Sequence, residues 1–369
     1  MRNGLLLLAG SLLLAGCGGG MPDFLGREGG DGTYRIGGEV LPEPVPVAMR
    51  EATAERALHG VIVRVEGEAP ELWNVNAPER VRALYAGAVG AGSDLFLTNS
   101  FGGNASRLKL HEAEGRAFEL NRIAAEIARD VADAAGRPVV VAGSMGPTGE
   151  IMAPLGALTV EEAAEMFEEQ ARGLLAGGAD VLWVETLSAP DEYRAAALGI
   201  SRTGAPWCGT MSFDTAGRTM MGLTAAELVA LVGELAHPPL AFGANCGVGA
   251  SDLLRTVLGF RAAHPGLPVI AKGNAGIPKF HDGHIHYDGT PELMADYAVL
   301  ARDCGATIIG GCCGTTPAHL VAMRAALETT PPGPPPDLDT IAARLGGFSS
   351  ASDGSGGEPP GRERRRRRG

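Results

Sequence analysis

With 369 residues, of which 45% are hydrophobic and 20% charged, the chain is long and apolar enough to bury the core of an enzyme. Its formal net charge of -12 disfavours nucleic-acid binding, because phosphate contacts need a basic face. The six cysteines lack the dense regular spacing of a disulfide scaffold. The sequence therefore predicts a reduced, cytoplasmic protein that acts on small molecules.

The N-terminal residues resemble a bacterial lipoprotein signal. An arginine and an apolar run precede Leu14-Ala15-Gly16-Cys17, so Cys17 would be acylated. The alternative is that residues 1–55 are a misassigned start, since they are rich in Gly and Pro and predict a disordered region. We expect a membrane as a partner, and a lipoprotein location, only if Cys17 is acylated.

Between residues 56 and 328, apolar runs alternate with amphipathic segments. A weak strand candidate lies at residues 61–65. The other predicted strands are residues 95–101, 139–143, 181–186, 207–213, 240–245, 269–273 and 307–311. The predicted helices are residues 78–91, 116–135, 160–176, 191–202, 225–236, 251–263, 291–303 and 318–327.

This alternation predicts a parallel sheet that is covered by helices on both faces. Seven clear strands and one weak strand fit an α/β fold of the (β/α)8 TIM-barrel type over residues 56–328, with an atypical or missing first strand. A doubly wound sheet is the alternative, but no Gly-x-Gly-x-x-Gly follows the first strand. Residues 329–369 contain a Pro-rich linker, a short helix at residues 338–345 and an Arg-rich end, and we expect a disordered basic tail.

Active sites of such barrels form where the strands end. The polar and thiol residues at the predicted strand ends are Thr98, Asn99, Ser144, Glu185, Thr186, Asp214, Asn245, Cys246, Asn274, Cys312 and Cys313. Three thiolates at one barrel mouth, from Cys246, Cys312 and Cys313, would hold a tetrahedral Zn2+ with its fourth position open, which is the catalytic pattern. Cys208 and Cys304 are flanked by apolar residues, and we expect them in the core.

Five motifs resemble the zinc-dependent homocysteine S-methyltransferases. They are Glu71-Leu72-Trp73-Asn74, Leu97-Thr98-Asn99-Ser100-Phe101-Gly102-Gly103-Asn104, Val184-Glu185-Thr186, Gly243-Ala244-Asn245-Cys246 and Gly310-Gly311-Cys312-Cys313-Gly314. The resemblance covers about residues 68–328, and residues 211–222 are most similar to the bacterial betaine branch. It implies methyl transfer from betaine or a related onium donor to homocysteine, which gives methionine.

In that family the zinc would be held by Cys246, Cys312 and Cys313, with the homocysteine sulfur as fourth ligand. Residues matching Thr98 and Glu185 hold the amino-acid end of homocysteine. Asn99 and Asn245, in the same motifs, complete the predicted homocysteine-binding residues.

Trp73 and Phe101 match aromatic positions of the betaine enzymes. Gly102 and Thr186, however, stand where those enzymes can carry tyrosines, so S-methylmethionine and dimethylsulfonium compounds stay open as donors. A homo-oligomer also stays open.

The chain departs from the family at its first strand. We find no Asp-Gly-(Ala/Gly)-Met-Gly-Thr-like motif upstream of Glu71, where the family uses one to cradle homocysteine. One alternative is therefore a degenerate or lipid-anchored barrel that binds zinc or a ligand without turnover. Another is a barrel lyase or aldolase that would use Lys272, although we expect this lysine to be structural.

Overall fold

The computed structural model describes residues 70–264, 266, 268–277, 279–281 and 284–354, together with the backbone of four short strands before residue 70. The strands are β1 (Leu5–Ala9), β2 (Leu13–Ala15), β3 (Tyr34–Ile36), β4 (Glu39–Leu41), β5 (Leu95–Leu97), β6 (Val140–Met145), β7 (Val181–Leu187), β8 (Trp207–Met211), β9 (Ala241–Cys246), β10 (Val269–Gly273), β11 (Lys279–His281), β12 (His284–His286) and β13 (Ile308–Gly311). The α-helices are α1 (Trp73–Asn76), α2 (Pro78–Gly90), α3 (Ala105–Leu108), α4 (Ala117–Asp133), α5 (Val160–Ala176), α6 (Pro190–Ser201), α7 (Ala225–Glu234), α8 (Ala250–Ala263), α9 (Pro291–Asp303), α10 (Pro317–Thr329) and α11 (Leu338–Leu345).

Nine of these strands form one sheet in the order β13-β10-β9-β8-β7-β6-β5-β1-β2, and a further pairing of β13 with β1 closes it. Only β2 is antiparallel to its neighbour, so the remaining eight strands make a closed parallel barrel with helices outside. The predicted (β/α)8 fold class is therefore confirmed, although the strand that closes the barrel, Leu5–Ala9, precedes the predicted range of residues 56–328.

The first strand of the barrel is β1. Its Leu7 pairs with Ile309 of β13, and its Leu8 pairs with Leu95 of β5. A buried parallel strand is a continuous apolar run, and the apolar core of a signal sequence has the same composition, so periodicity alone does not separate the two. The alternative first strand at residues 61–65 lies outside the described residues, and acylation of Cys17 stays a prediction.

The helices begin and end close to their predicted bounds, because their ends carry local stop and start signals. Thr159 and Thr224 each form a capping box with the glutamate three residues later. Among the strands, β5 is shorter than the predicted 95–101. The chain turns directly after Leu97, where the Ser100 amide donates to the Thr98 carbonyl at 3.0 Å.

The chain after α11 lies against the barrel, and we call residues 346–354 the C-terminal strap. Ser251 Oγ, at the start of α8, donates to the Gly346 carbonyl at 2.6 Å, and Arg255 Nη1 donates to the Ser350 carbonyl at 2.8 Å. Further along, Gly354 lies against Gly217 in the loop after β8. The strap thus joins α8 to a loop at the mouth of the barrel, while the predicted domain boundaries and the Arg-rich end stay predictions.

Across the residues that the structure describes, none of the helices combines the length and the apolar character that crossing a membrane requires.

Candidate metal centre

Three cysteines from two strand ends meet at the barrel mouth. Cys246 is the last residue of β9, and Cys312 and Cys313 directly follow β13. Both strands pair with β10, where Gly273 lies beside Cys246 on one side and Gly311 on the other. The Cys246 Sγ lies 3.1 Å from the Cys312 Sγ and 3.6 Å from the Cys313 Sγ, and all three sulfurs lie within 4.8 Å of one another. The fold thus brings together the three residues that the sequence predicted.

The backbone around the cysteines is held in specific conformations. Cys246 itself is left-handed, with φ 58°, which is uncommon for a residue with a Cβ. The Cys312 amide donates to the Gly273 carbonyl at 2.5 Å. Asn274 bridges the two turns, because its Oδ1 accepts from the Cys313 amide at 3.1 Å and its Nδ2 donates to the Gly247 carbonyl at 3.0 Å. These contacts fix the positions from which the sulfurs project.

The electrostatics of the cluster disfavour three thiolates in the absence of a cation. Hydrogen bonds with the thiols of Cys312 and Cys313, together with burial, raise the pKa of Cys246 well above its usual value. For Cys312, the hydrogen bond with Cys246 lowers the pKa, but the Cys313 thiol and burial outweigh it and raise the pKa to about 12. A bound divalent cation reverses this balance, since a coordinating thiol is deprotonated.

The cluster fits zinc by donor type and by spacing. Zinc–thiolate bonds of about 2.3 Å in a tetrahedron place two sulfurs about 3.8 Å apart. Two of the sulfur–sulfur distances, 3.1 and 3.6 Å, are slightly shorter than this value, and no sulfur–sulfur distance exceeds 4.8 Å. Within the described ranges, these three side chains are the only group of His, Cys, Asp or Glu residues that could hold a metal ion. Three thiolates fill three of the four positions of a tetrahedral zinc.

Asn245 lies between the cysteines and β7. Its Nδ2 donates to Thr186 Oγ1 at 2.8 Å and faces the Cys312 Sγ at 3.6 Å. Its Oδ1 accepts from the Thr186 amide at 2.9 Å and from Thr210 Oγ1 at 2.7 Å. The Asn245 amide is fully buried and is occupied by other protein groups.

A second polar group fills the barrel below the mouth. Glu185 accepts a hydrogen bond from Ser144 Oγ at 2.5 Å through Oε1 and forms an ion pair with Lys272 through Oε2. The side chain of Lys272 is completely buried, and its Nζ lies 5.5 Å from the centroid of the Trp183 ring. Thr98 joins this group, because its Oγ1 accepts from the Ser144 amide at 2.9 Å.

The remaining predicted residues lie on the side of β5. Asn99 Nδ2 donates to the Pro70 carbonyl at 2.7 Å and to Asn74 Oδ1 at 3.1 Å, so its amide ties the segment before α1 to the barrel. Trp73 is half-buried, and the guanidinium of Arg80 lies 5.2 Å from its ring centroid. Phe101 is 37% exposed. Their roles in binding homocysteine and the donor stay predictions.

Sequence reasoning missed the partners of these residues. The resemblance assigns Glu185 to the amino-acid end of homocysteine, but the sequence does not predict its ion pair with Lys272. The signal was available, since a lysine inside the apolar run of β10 is expected to be buried with a counter-charge. The sequence also did not predict the roles of Thr210 and the C-terminal strap. An isolated threonine and a Gly/Ser-rich segment carry no pattern that indicates a contact.

The chain matches one family model and is similar to several known proteins. A family model described as homocysteine S-methyltransferase matches residues 48–327. Methionine synthase from Mycobacterium tuberculosis is 32% identical over 267 residues, and the match covers 70% of this chain but only 22% of that protein. The metallated form of the homocysteine methyltransferase MmuM from Escherichia coli is 25% identical, with a TM-score of 0.59, and the match covers 71% of this chain and 90% of that one. The oxidized form gives 24% identity and a TM-score of 0.60.

Proposed function

Because the chain belongs to the homocysteine S-methyltransferase family, we propose that it transfers a methyl group to the sulfur of homocysteine and releases methionine. The observation that carries this proposal is the cluster of Cys246, Cys312 and Cys313 at the barrel mouth, with all three sulfurs within 4.8 Å. Bound zinc would make a coordinated thiol a thiolate near neutral pH, and the homocysteine sulfur would take the fourth position.

The chain's own residues would bind and align the substrate. The carboxylate of Glu185 has about four acceptor sites, so it can receive the substrate ammonium as well as Ser144 and Lys272. Thr98 Oγ1 is hydrogen-bonded to Ser100 Oγ at 2.5 Å, and we assign this pair to the same end of the substrate. We propose that these residues align the homocysteine sulfur with the methyl carbon of the donor. Such alignment lowers the barrier of an in-line displacement.

We propose betaine or a related onium compound as the methyl donor. The new S–C bond forms as the bond from the methyl carbon to the onium nitrogen or sulfur breaks, and the donor leaves as a neutral amine or sulfide. Phe101 supports this choice, since an exposed aromatic face attracts an onium group. Trp73 supports it less, because the Arg80 cation already lies over its ring.

The test is methionine formation by zinc-loaded protein with homocysteine and a panel of betaine, S-methylmethionine and a dimethylsulfonium compound, followed by mass spectrometry. We expect about one zinc per chain and turnover with one donor class. Cys313→Ser should lose zinc and turnover. Cys304→Ala is the matched control, because this thiol is buried in the core away from the cluster, and it should keep both.

The alternative is a barrel that binds zinc and homocysteine without turnover. The observation that favours it is the ion pair with Lys272, which already neutralises the Glu185 carboxylate. Zinc and homocysteine binding without methionine from any donor in the panel would establish this alternative and contradict the methyltransferase proposal.

A further inference from the structure

Two residues next to the metal centre have left-handed backbones. Thr186 has φ 64° and Cys246 has φ 58°. A β-branched residue in this region is a strained outlier, and such strain persists only where the surroundings hold it. Neighbouring groups must therefore stabilise these two backbone conformations.

For Thr186, the stabilising group is the side chain of Asn245. It binds Thr186 twice, through the amide at 2.9 Å and through Oγ1 at 2.8 Å, and it directly precedes Cys246 in the chain. The same carboxamide also accepts a hydrogen bond from Thr210 Oγ1 at 2.7 Å and donates one to the Cys312 Sγ at 3.6 Å. One carboxamide thus connects the ends of β7, β8 and β9 with the first cysteine after β13.

We propose that Asn245 is a positioning residue of the metal centre. This proposal rests on the proposed function. It orients the Cys312 sulfur through an N–H···S hydrogen bond and fixes the end of β9, and therefore Cys246, by binding Thr186 and Thr210. This role differs from the predicted contact with homocysteine, because each polar atom of the amide is already bonded to the protein.

The direction of the N–H···S bond has a chemical consequence. A donor on the Cys312 thiolate withdraws electron density from that sulfur and makes it a weaker nucleophile than a substrate thiolate without such a donor. Asn245 therefore favours methylation of the substrate over methylation of the protein. The cost of removing such an outer partner is typically about 10- to 100-fold in metal affinity.

Asn245→Asp keeps the hydrogen-bond acceptor of the side chain and removes its hydrogen-bond donor. The carboxylate keeps the shape and still accepts from the Thr186 amide and Thr210 Oγ1, but it does not donate to the Cys312 sulfur and places a negative charge beside it. We expect zinc to bind about 10- to 100-fold more weakly, measured by competition with a chelator. We also expect the sulfur-to-cobalt absorption bands of the Co2+-loaded protein to shift.

Two further variants keep the proposal falsifiable if Asn245→Asp folds poorly. Thr210→Val removes one bond to Oδ1 without a new charge, and it should weaken zinc binding in the same direction by a smaller factor. Asn121→Asp is the matched control, because Asn121 is fully buried and donates to the carbonyls of Gly103 and Ala117 instead of a cysteine. It should lower the urea midpoint and leave the zinc affinity and the cobalt bands unchanged.

The results separate this proposal from the proposed function. A wild-type chain that binds zinc and forms methionine, with unchanged zinc affinity and cobalt bands in both Asn245→Asp and Thr210→Val, overturns the positioning role alone. A wild-type chain that binds zinc, loses affinity in both variants and forms no methionine supports the positioning role and contradicts the proposed function. A wild-type chain that binds no zinc overturns both.

Discussion

Replacing Lys272 by methionine should destabilise the protein strongly. The side chain of Lys272 is fully buried, and that of its partner Glu185 is only 5% exposed. Methionine has a similar length and no charge, so the variant leaves the Glu185 carboxylate buried beside Ser144 without its counter-ion. Removing one member of a buried pair costs about 3–5 kcal/mol, and we expect a loss of that size in the free energy of unfolding.

The assay is urea unfolding of the zinc-loaded protein, followed by circular dichroism. A second substitution provides the internal check, because Lys272→Met combined with Glu185→Gln removes both charges and should recover most of the loss. Arg194→Met is the surface control, since the pair of Arg194 with Asp191 is 43% and 48% exposed and should contribute less than about 1 kcal/mol. A double variant no more stable than Lys272→Met alone would refute the coupling of the two charges.

Three other outcomes follow from the described contacts. Gly314→Ala should weaken zinc binding at least about tenfold, because its φ is +79° and a Cβ would lie 2.5 Å from the side chain of Tyr287. Gly346→Ala is the control: its Cβ meets open space, so its φ of +98° and ψ of 162° should cost only about 1–3 kcal/mol of stability and leave zinc binding unchanged. Arg255→Met should expose the C-terminal strap to limited proteolysis, read by mass spectrometry, and unchanged cleavage would contradict its anchoring role. Burial raises the pKa of Cys304 from 9.0 to about 12, so the urea midpoint of the metal-free protein should fall as the pH rises through that interval, and a midpoint that rises would contradict this sign.

Much of the barrel could be predicted from the sequence because its signals are local. The helices at 160–176, 291–303 and 338–345 have their predicted bounds, and each begins after a residue whose side chain caps it. The cysteine cluster also followed from local signals, since parallel strands place their carboxyl ends at one mouth. Cysteines at the ends of two such strands could therefore be predicted to lie at the same mouth, and β13 and β9 are separated there only by β10.

The rest depended on pairings between distant residues. Asn245 and Thr186 are 59 positions apart, and Lys272 and Glu185 are 87 positions apart. Which inward-facing side chains meet is decided by the register of the closed barrel, and a shift of one residue reverses the face of a strand. The bonds of Asn245 and the counter-ion of Glu185 could therefore not be predicted from their own segments.

Zinc K-edge X-ray absorption, recorded with and without homocysteine, tests the central claim most directly. We predict three sulfur ligands at about 2.3 Å in the free protein and four after homocysteine is added. A zinc site with fewer than three sulfurs, or one whose sulfur count does not change with homocysteine, would contradict the account.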